Sequence, residues 1–146
     1  MKNANRGPII YIEDDLDDRH IFKETISGLG ISNEILYFDH GAHFLEYLYA
    51  TPDQPLLIVC DINMPVMNGL ELRKTLLADK ELKKKSIPFI FYTTSVNPKE
   101  IEIAYDLTVQ GYFKKASDML EMKTTLKMIY DYWCICRHPN NFTDTK

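Results

Sequence analysis

The stretch Leu56-Leu57-Ile58-Val59-Cys60-Asp61 does most to limit what this 146-residue chain can become. An apolar run of strand length stops at a single carboxylate. Asn63-Met64-Pro65-Val66-Met67-Asn68-Gly69 follows as a loop, and Leu70, Leu72, Leu76 and Leu77 then mark a helix. Continuous apolar runs bounded by turn residues suit strands covered on both faces, as in parallel sheets. Such sheets place their chemistry just beyond the carboxyl ends of their strands. Asp61 stands at that edge.

The same pattern recurs along the chain. Pro8-Ile9-Ile10-Tyr11-Ile12 reads as a strand ending at Glu13-Asp14-Asp15, and Ile35-Leu36-Tyr37-Phe38 as a second. Pro88-Phe89-Ile90-Phe91-Tyr92 ends at Thr93-Thr94-Ser95, and Gly111-Tyr112-Phe113-Lys114-Lys115 is a short last strand. Between them, Ile21, Phe22, Ile26 and Leu29 recur at helical spacing, as do Phe44, Leu45, Leu48 and Tyr49. Asp15 or Asp17 is a better cap for the first helix than Glu13 or Asp14. Asn97-Pro98-Lys99-Glu100 opens a fourth helix with a cap residue, a proline at the first position and a glutamate three after the cap. Ser117 or Asp118 caps a fifth, containing Leu120, Leu126, Ile129, Tyr130 and Trp133. Lys83-Lys84-Lys85 reads as a solvated loop, and the residues from about His138 on read as loose.

Five strands alternating with five helices predict an α/β fold with a doubly wound parallel sheet. Right-handed crossovers leave few windings, and the flavodoxin-like strand order 2-1-3-4-5 fits this length. The expected organisation is a lead over 1–7, one domain over 8–135 and a tail over 136–146.

Composition narrows the function. A net charge of −4 disfavours a nucleic-acid partner. No apolar run is long enough for a bilayer, and the first residues carry no signal-peptide core. Three cysteines are an odd count for a disulfide framework. A cytoplasmic chain without a membrane partner is expected.

The expected strand order brings Glu13, Asp14 and Asp61 together, with Thr93 and Lys115 converging on them. Clustered carboxylates resist ionising unless a cation intervenes. Hard oxygen ligands with water suit Mg²⁺. Lys115 adds a point positive charge and Thr93 a hydroxyl donor. This set suits phosphoryl transfer, which depends on positioning and charge neutralisation. A carboxylate nucleophile forming an acyl phosphate is established chemistry.

Ile12-Glu13-Asp14-Asp15, Val59-Cys60-Asp61-Ile62-Asn63-Met64-Pro65 with Asn68-Gly69, Tyr92-Thr93-Thr94 and Gly111-Tyr112-Phe113-Lys114-Lys115 occur in this order. Together they resemble the receiver domain of two-component response regulators, of the stand-alone, chemotaxis-receiver-like kind. The resemblance implies that Asp61 is the phosphoacceptor. It implies that Asp14, Glu13 (largely through water), Asp61 and the backbone carbonyl of Asn63 serve Mg²⁺. Lys115 would pair with Asp61 and then with phosphoryl oxygens, Thr93 would hydrogen-bond the phosphoryl group, and Tyr112 would follow Thr93 as a switch. Asn63 and Ser95 would tune hydrolysis. The phosphodonor would be a sensor histidine kinase or a histidine phosphotransfer protein. Such a protein is no enzyme beyond its own phosphorylation and dephosphorylation. With no output domain in this sequence, its output is expected to run through protein contacts. Tyr130, Tyr132 and Trp133 resemble small receivers associated with phytochrome-type and other hybrid kinases, some of which form a homodimer through their C-terminal helices.

One departure stands out: Ala116 follows Lys115 where the family normally has proline. It motivates an alternative, a constitutive protein-binding or dimerisation module on the same fold. Plain packing competes with the switch role at Tyr112. A phosphatase with an aspartyl nucleophile would want an acid two residues on, where Asn63 stands. A flavin protein would not line its phosphate site with carboxylates. Cys134-Ile135-Cys136-Arg137-His138 lacks the second ligand pair of a zinc site. His20, His40 and His43 are expected on or near helix surfaces without ligand spacing.

Overall fold

The apolar runs become strands and the amphipathic runs become the helices that cover them. In the computed structural model, which describes residues 7–139, the order is β1 (Ile9–Ile12), α1 (Leu16–Ser27), β2 (Ile35–Phe38), α2 (Gly41–Ala50), β3 (Leu57–Cys60), α3 (Gly69–Ala78), α4 (Lys80–Lys84), β4 (Phe89–Thr93), α5 (Pro98–Asp106), β5 (Gly111–Lys114) and α6 (Met119–Ile135). The five strands form one parallel sheet in the order β2-β1-β3-β4-β5, as expected.

Alternate strand residues build two cores. Ile10, Ile12, Ile58, Cys60, Phe89 and Phe91 face Phe44, Leu48, Leu72, Leu76 and Ala104, which lie on α2, α3 and α5. Ile9, Tyr11, Leu57, Val59, Ile90 and Tyr92 face Phe22, Ile26, Leu126 and Ile129 on α1 and α6. β1, β3 and β4 are buried throughout, which is why they read as unbroken apolar runs.

Short polar side chains start every described helix except α2. Asp15 accepts from Asp17 and Asp18 N–H at 2.8 and 3.1 Å. Asn68 and Glu71 close a reciprocal capping box. Asn97 accepts from Lys99 N–H at 2.8 Å, and Asp118, rather than Ser117, caps α6 through Leu120 N–H.

Two expectations are corrected. The lysine run is not simply a loop: Lys83 and Lys84 lie in a short additional helix, α4, so the described residues form six helices rather than five. Asp79 caps α4 through Glu81 and Leu82 N–H, and buried Leu82 anchors it. His138 is not loose but buried. The expected lead and tail lie outside the described residues, except for Gly7 and 136–139. No helix among the described residues is long and apolar enough to cross a membrane.

Candidate functional site

Parallel pairing brings the carboxyl ends of the strands to one edge. Ile12 and Cys60 are direct partners across β1 and β3, so Glu13 and Asp61 leave the sheet side by side. The Asp61 N–H donates to the Ile12 carbonyl at 3.0 Å, and the Glu13 N–H to the Phe38 carbonyl at 2.9 Å. Carboxylate oxygens of Glu13, Asp14 and Asp61 lie within 4.8 Å of one another. Glu13 and Asp61 are buried.

The charge balance of this pocket is unusual. Burial pushes the Glu13 carboxyl up to about 7; the Lys115 hydrogen bond opposes the shift and neighbouring Asp61 adds to it. Lys115 Nζ donates to Glu13 Oε1, lies 2.9 Å from Asp18 Oδ2 and stands 3.8 Å from Asp61 Oδ2. Burial opposes the Lys115 charge, but its bond to Glu13 and the charges of Asp61, Glu13 and Asp18 outweigh that and raise its pKa. The buried acids crowd more negative charge than Lys115 balances, and their donors are all hard oxygens. The residues present therefore fit a small divalent cation.

The loop after Asp61 is shaped by its backbone. A Cβ at Gly69 would stand 2.3 Å from the Asp61 carbonyl oxygen and 2.8 Å from Phe91 Cε1, so only glycine fits there. Val66 has φ of 68° at the tip of a tight turn, in which the Met67 N–H donates to the Pro65 carbonyl at 2.8 Å. A β-branched residue in that region is strained. Ile62 N–H donates to Asp61 Oδ1 at 2.9 Å, leaving Oδ2 on the Lys115 side. Asn63 follows, exposed at the mouth.

Thr93 ends β4, fully buried, and its Oγ1 accepts from Ser95 N–H at 3.3 Å. The Lys115 N–H donates to the Thr93 carbonyl at 2.8 Å, tying β5 to β4 beside the pocket. Tyr112 packs edge-on against Phe91, and its hydroxyl donates to the Ser95 carbonyl at 2.9 Å. Ser95 Oγ in turn donates to Glu100 Oε1 at 2.5 Å, on the first turn of α5.

Glu13, Asp14, Asp61, Thr93 and Lys115 thus all reach one edge. Three contributors were not singled out in the sequence. Asp18 shares the α1 face of Phe22 and Ile26, and that helical phase is the signal that turns it toward Lys115. Tyr11 donates its hydroxyl to Glu13 Oε1 at 3.4 Å, and its strand register is the corresponding signal. Nothing in the sequence marks Val66.

Comparison with known proteins agrees with this architecture. The response regulator receiver domain family model matches residues 9–127. Chemotaxis protein CheY1 of Helicobacter pylori is 35% identical over 121 residues, covering 83% of this chain and 94% of that protein. Response regulator Rcp1 of Synechocystis is 25% identical over 140 residues, covering 91% of this chain and 94% of Rcp1. The phosphorylated cyanobacterial phytochrome response regulator RcpA superimposes with a TM-score of 0.78 at 27% identity, over 90% of this chain and 96% of RcpA. With a model match over most of its length and a relative above 30% identity, this chain belongs to the response regulator receiver domain family.

Proposed function

We propose that residues 8–135 accept a phosphoryl group on Asp61 from a sensor histidine kinase or histidine phosphotransfer protein. The observation that carries this reading is the buried Asp61 carboxylate. It lies beside the Glu13–Asp14 acid pair, with Lys115 Nζ 3.8 Å from its Oδ2, at the carboxyl edge of the sheet.

Asp61 Oδ2 attacks phosphorus, the new O–P bond forms as the donor's N–P bond breaks, and the leaving imidazole takes up a proton. Lys115 moves onto a phosphoryl oxygen as charge builds near Asp61. The Thr93 hydroxyl donates to another. Asp14, Asp61 and the Asn63 carbonyl would hold Mg²⁺, with Glu13 acting largely through water, and the ion would supply charge neutralisation and orientation. Tyr112 is joined through Ser95 to the start of α5, so movement at Thr93 passes to that face. This change requires contacts that differ between the two states, not charge alone. Like its relatives, the protein is a signalling module and not a turnover enzyme.

Output runs through protein contacts. Met128, Tyr132 and Ile135 recur at helical spacing on α6 and are all well exposed, which supports a homodimer through that helix.

Intact-protein mass after incubation with a small acyl phosphate and Mg²⁺ tests the acceptor. Wild type should gain one phosphoryl group, and Asp61→Asn or a chelator should abolish the gain. A stable gain on Asp61→Asn would overturn the assignment. The same samples on a size column decide whether association follows phosphorylation. Association that is identical with and without phosphoryl would instead favour the constitutive module, a reading to which the Glu13 and Asp18 bonds of Lys115 lend weight.

A further inference from the structure

The carboxyl edge carries a second cluster, one strand out from Glu13. β2 ends at Phe38, whose carbonyl accepts from the Glu13 N–H. Asp39 and His40 then turn the chain into α2, and His43 lies in the first turn of that helix. Asp39 Oδ1 is 2.9 Å from His43 Nδ1 and 3.9 Å from His40 Nε2. The two imidazole rings lie 3.9 Å apart between centroids, tilted by 35°. One donor atom from each of the three residues falls within 4.8 Å of the others. Residues that showed no ligand spacing in the sequence are thus gathered by the fold.

Capping does not account for His40. It holds the N-cap position of α2 but makes no side-chain cap bond, where serine, threonine, aspartate or asparagine would be favoured. The separations instead suit coordination. Ligands about 2.0–2.1 Å from an ion stand roughly 3 Å apart at right angles and roughly 3.4 Å apart in a tetrahedron. The observed 2.9 and 3.9 Å bracket those values, and an ion is admitted once the tilted rings turn about their side-chain torsions so that their in-plane nitrogen lone pairs converge. All three side chains are open to solvent, which leaves the remaining coordination positions to water.

We propose that Asp39, His40 and His43 form a binding site for a divalent transition ion of the Zn²⁺ class. Two imidazoles with one carboxylate suit Zn²⁺, Cu²⁺ or Ni²⁺, whereas Mg²⁺ takes oxygen ligands. The edge therefore presents two cation sites that differ in ligand softness. The segments that carry them touch: a Cβ at Gly41, in the first turn of α2, would stand 2.9 Å from Met67 Sδ, in the loop that follows Asp61. An ion at the second site ties edge strand β2 to α2 and stiffens the wall against which that loop packs. The site stands whether or not Asp61 accepts phosphoryl groups.

Zn²⁺ titration of the wild-type protein in excess Mg²⁺, followed through the imidazole resonances by NMR, tests it. His40 and His43 should shift together and saturate at one Zn²⁺ per chain, in a transition that His20 and His138 do not share. His40→Ala and His43→Ala should each weaken that transition by at least the ~10–100-fold that loss of even an outer partner costs. His40→Gln is a second removal that keeps a polar surface, and metal-free melting temperatures equal to wild type show that the variants are folded. The proposal fails if the His40 and His43 resonances do not respond. It also fails if removing either imidazole leaves the other responding at the same Zn²⁺ concentration.

Discussion

In the absence of divalent ions, raising the pH from the acid range up to neutrality should destabilise this protein, and Glu13 is the cause. Its carboxyl is raised from 4.5 to about 7 by burial, with Lys115 opposing and Asp61 reinforcing the shift. A raised folded-state pKa contributes stability that is fully present below the unfolded value. That contribution is lost as pH rises through the folded value, because the native state holds a proton the unfolded chain has released. The window therefore runs from about 4.5 to about 7. A shift of roughly 2.5 units, at 1.36 kcal/mol per unit, sets an upper bound of about 3 kcal/mol. Solvent screening does not reduce it much, since Glu13 is 1% exposed.

Urea unfolding in chelator at intervals across that window measures the effect against Glu13→Gln, which mimics the neutral acid and keeps an oxygen for Lys115. The wild-type stability should fall with pH relative to the variant. With saturating Mg²⁺ the order should invert, because a cation stabilises by mass action only where the carboxylate is available to it. Parallel curves for wild type and Glu13→Gln in chelator would refute the raised pKa, and with it the charge imbalance that makes room for a cation.

Gly69→Ala should cost about 1–3 kcal/mol or more through overpacking against the Asp61 carbonyl and Phe91, and should slow phosphoryl uptake, read from the urea midpoint and from intact mass. Arg73→Met should cost about 2 kcal/mol, because Arg73 donates to the Leu107 and Thr108 carbonyls, both at 3.0 Å, and stacks over Phe89; thermal and urea unfolding both report it. Lys115→Gln should move the Glu13 titration above its wild-type value of about 7, since Lys115 is what holds it down; the side-chain carboxyl signal of Glu13 in NMR reads this directly.

What the sequence could show follows from the range of each signal. Strands buried on both faces are unbroken apolar runs, so β1, β3 and β4 announce themselves, and the polar residue that ends each run marks the carboxyl edge. Glu13, Asp61 and Thr93 were legible for that reason. α4 was not, because its five residues hold one buried anchor, Leu82, which is too little for a helical period to register against three lysines. The burial of His138 depends on where the end of α6 lands, which no local pattern records. The Asp39–His40–His43 cluster needs the turn geometry between β2 and α2, since the extended backbone at His40 is what sets its ring over that of His43.

Lys115 shows why the site was harder to read than the fold. Its lone charge is shared by Glu13 on the β1 side and Asp18 on α1, with Asp61 farther away at 3.8 Å. The Asp18 side chain is 37% exposed, so that contact is worth no more than about 1 kcal/mol. A dianionic phosphoryl group beside Asp61 offers more charge at shorter range in a more buried setting, where each unit of charge counts for more. A cation among the acids would take over the neutralising role that Lys115 serves at Glu13. In the proposed reaction both holds on Lys115 are therefore weak when they must be given up, and the helix that loses its tie is α1. On that proposal the position of α1, through Asp18, would be coupled to the state of Asp61 alongside the Thr93–Ser95–Tyr112 chain on the other side of the pocket.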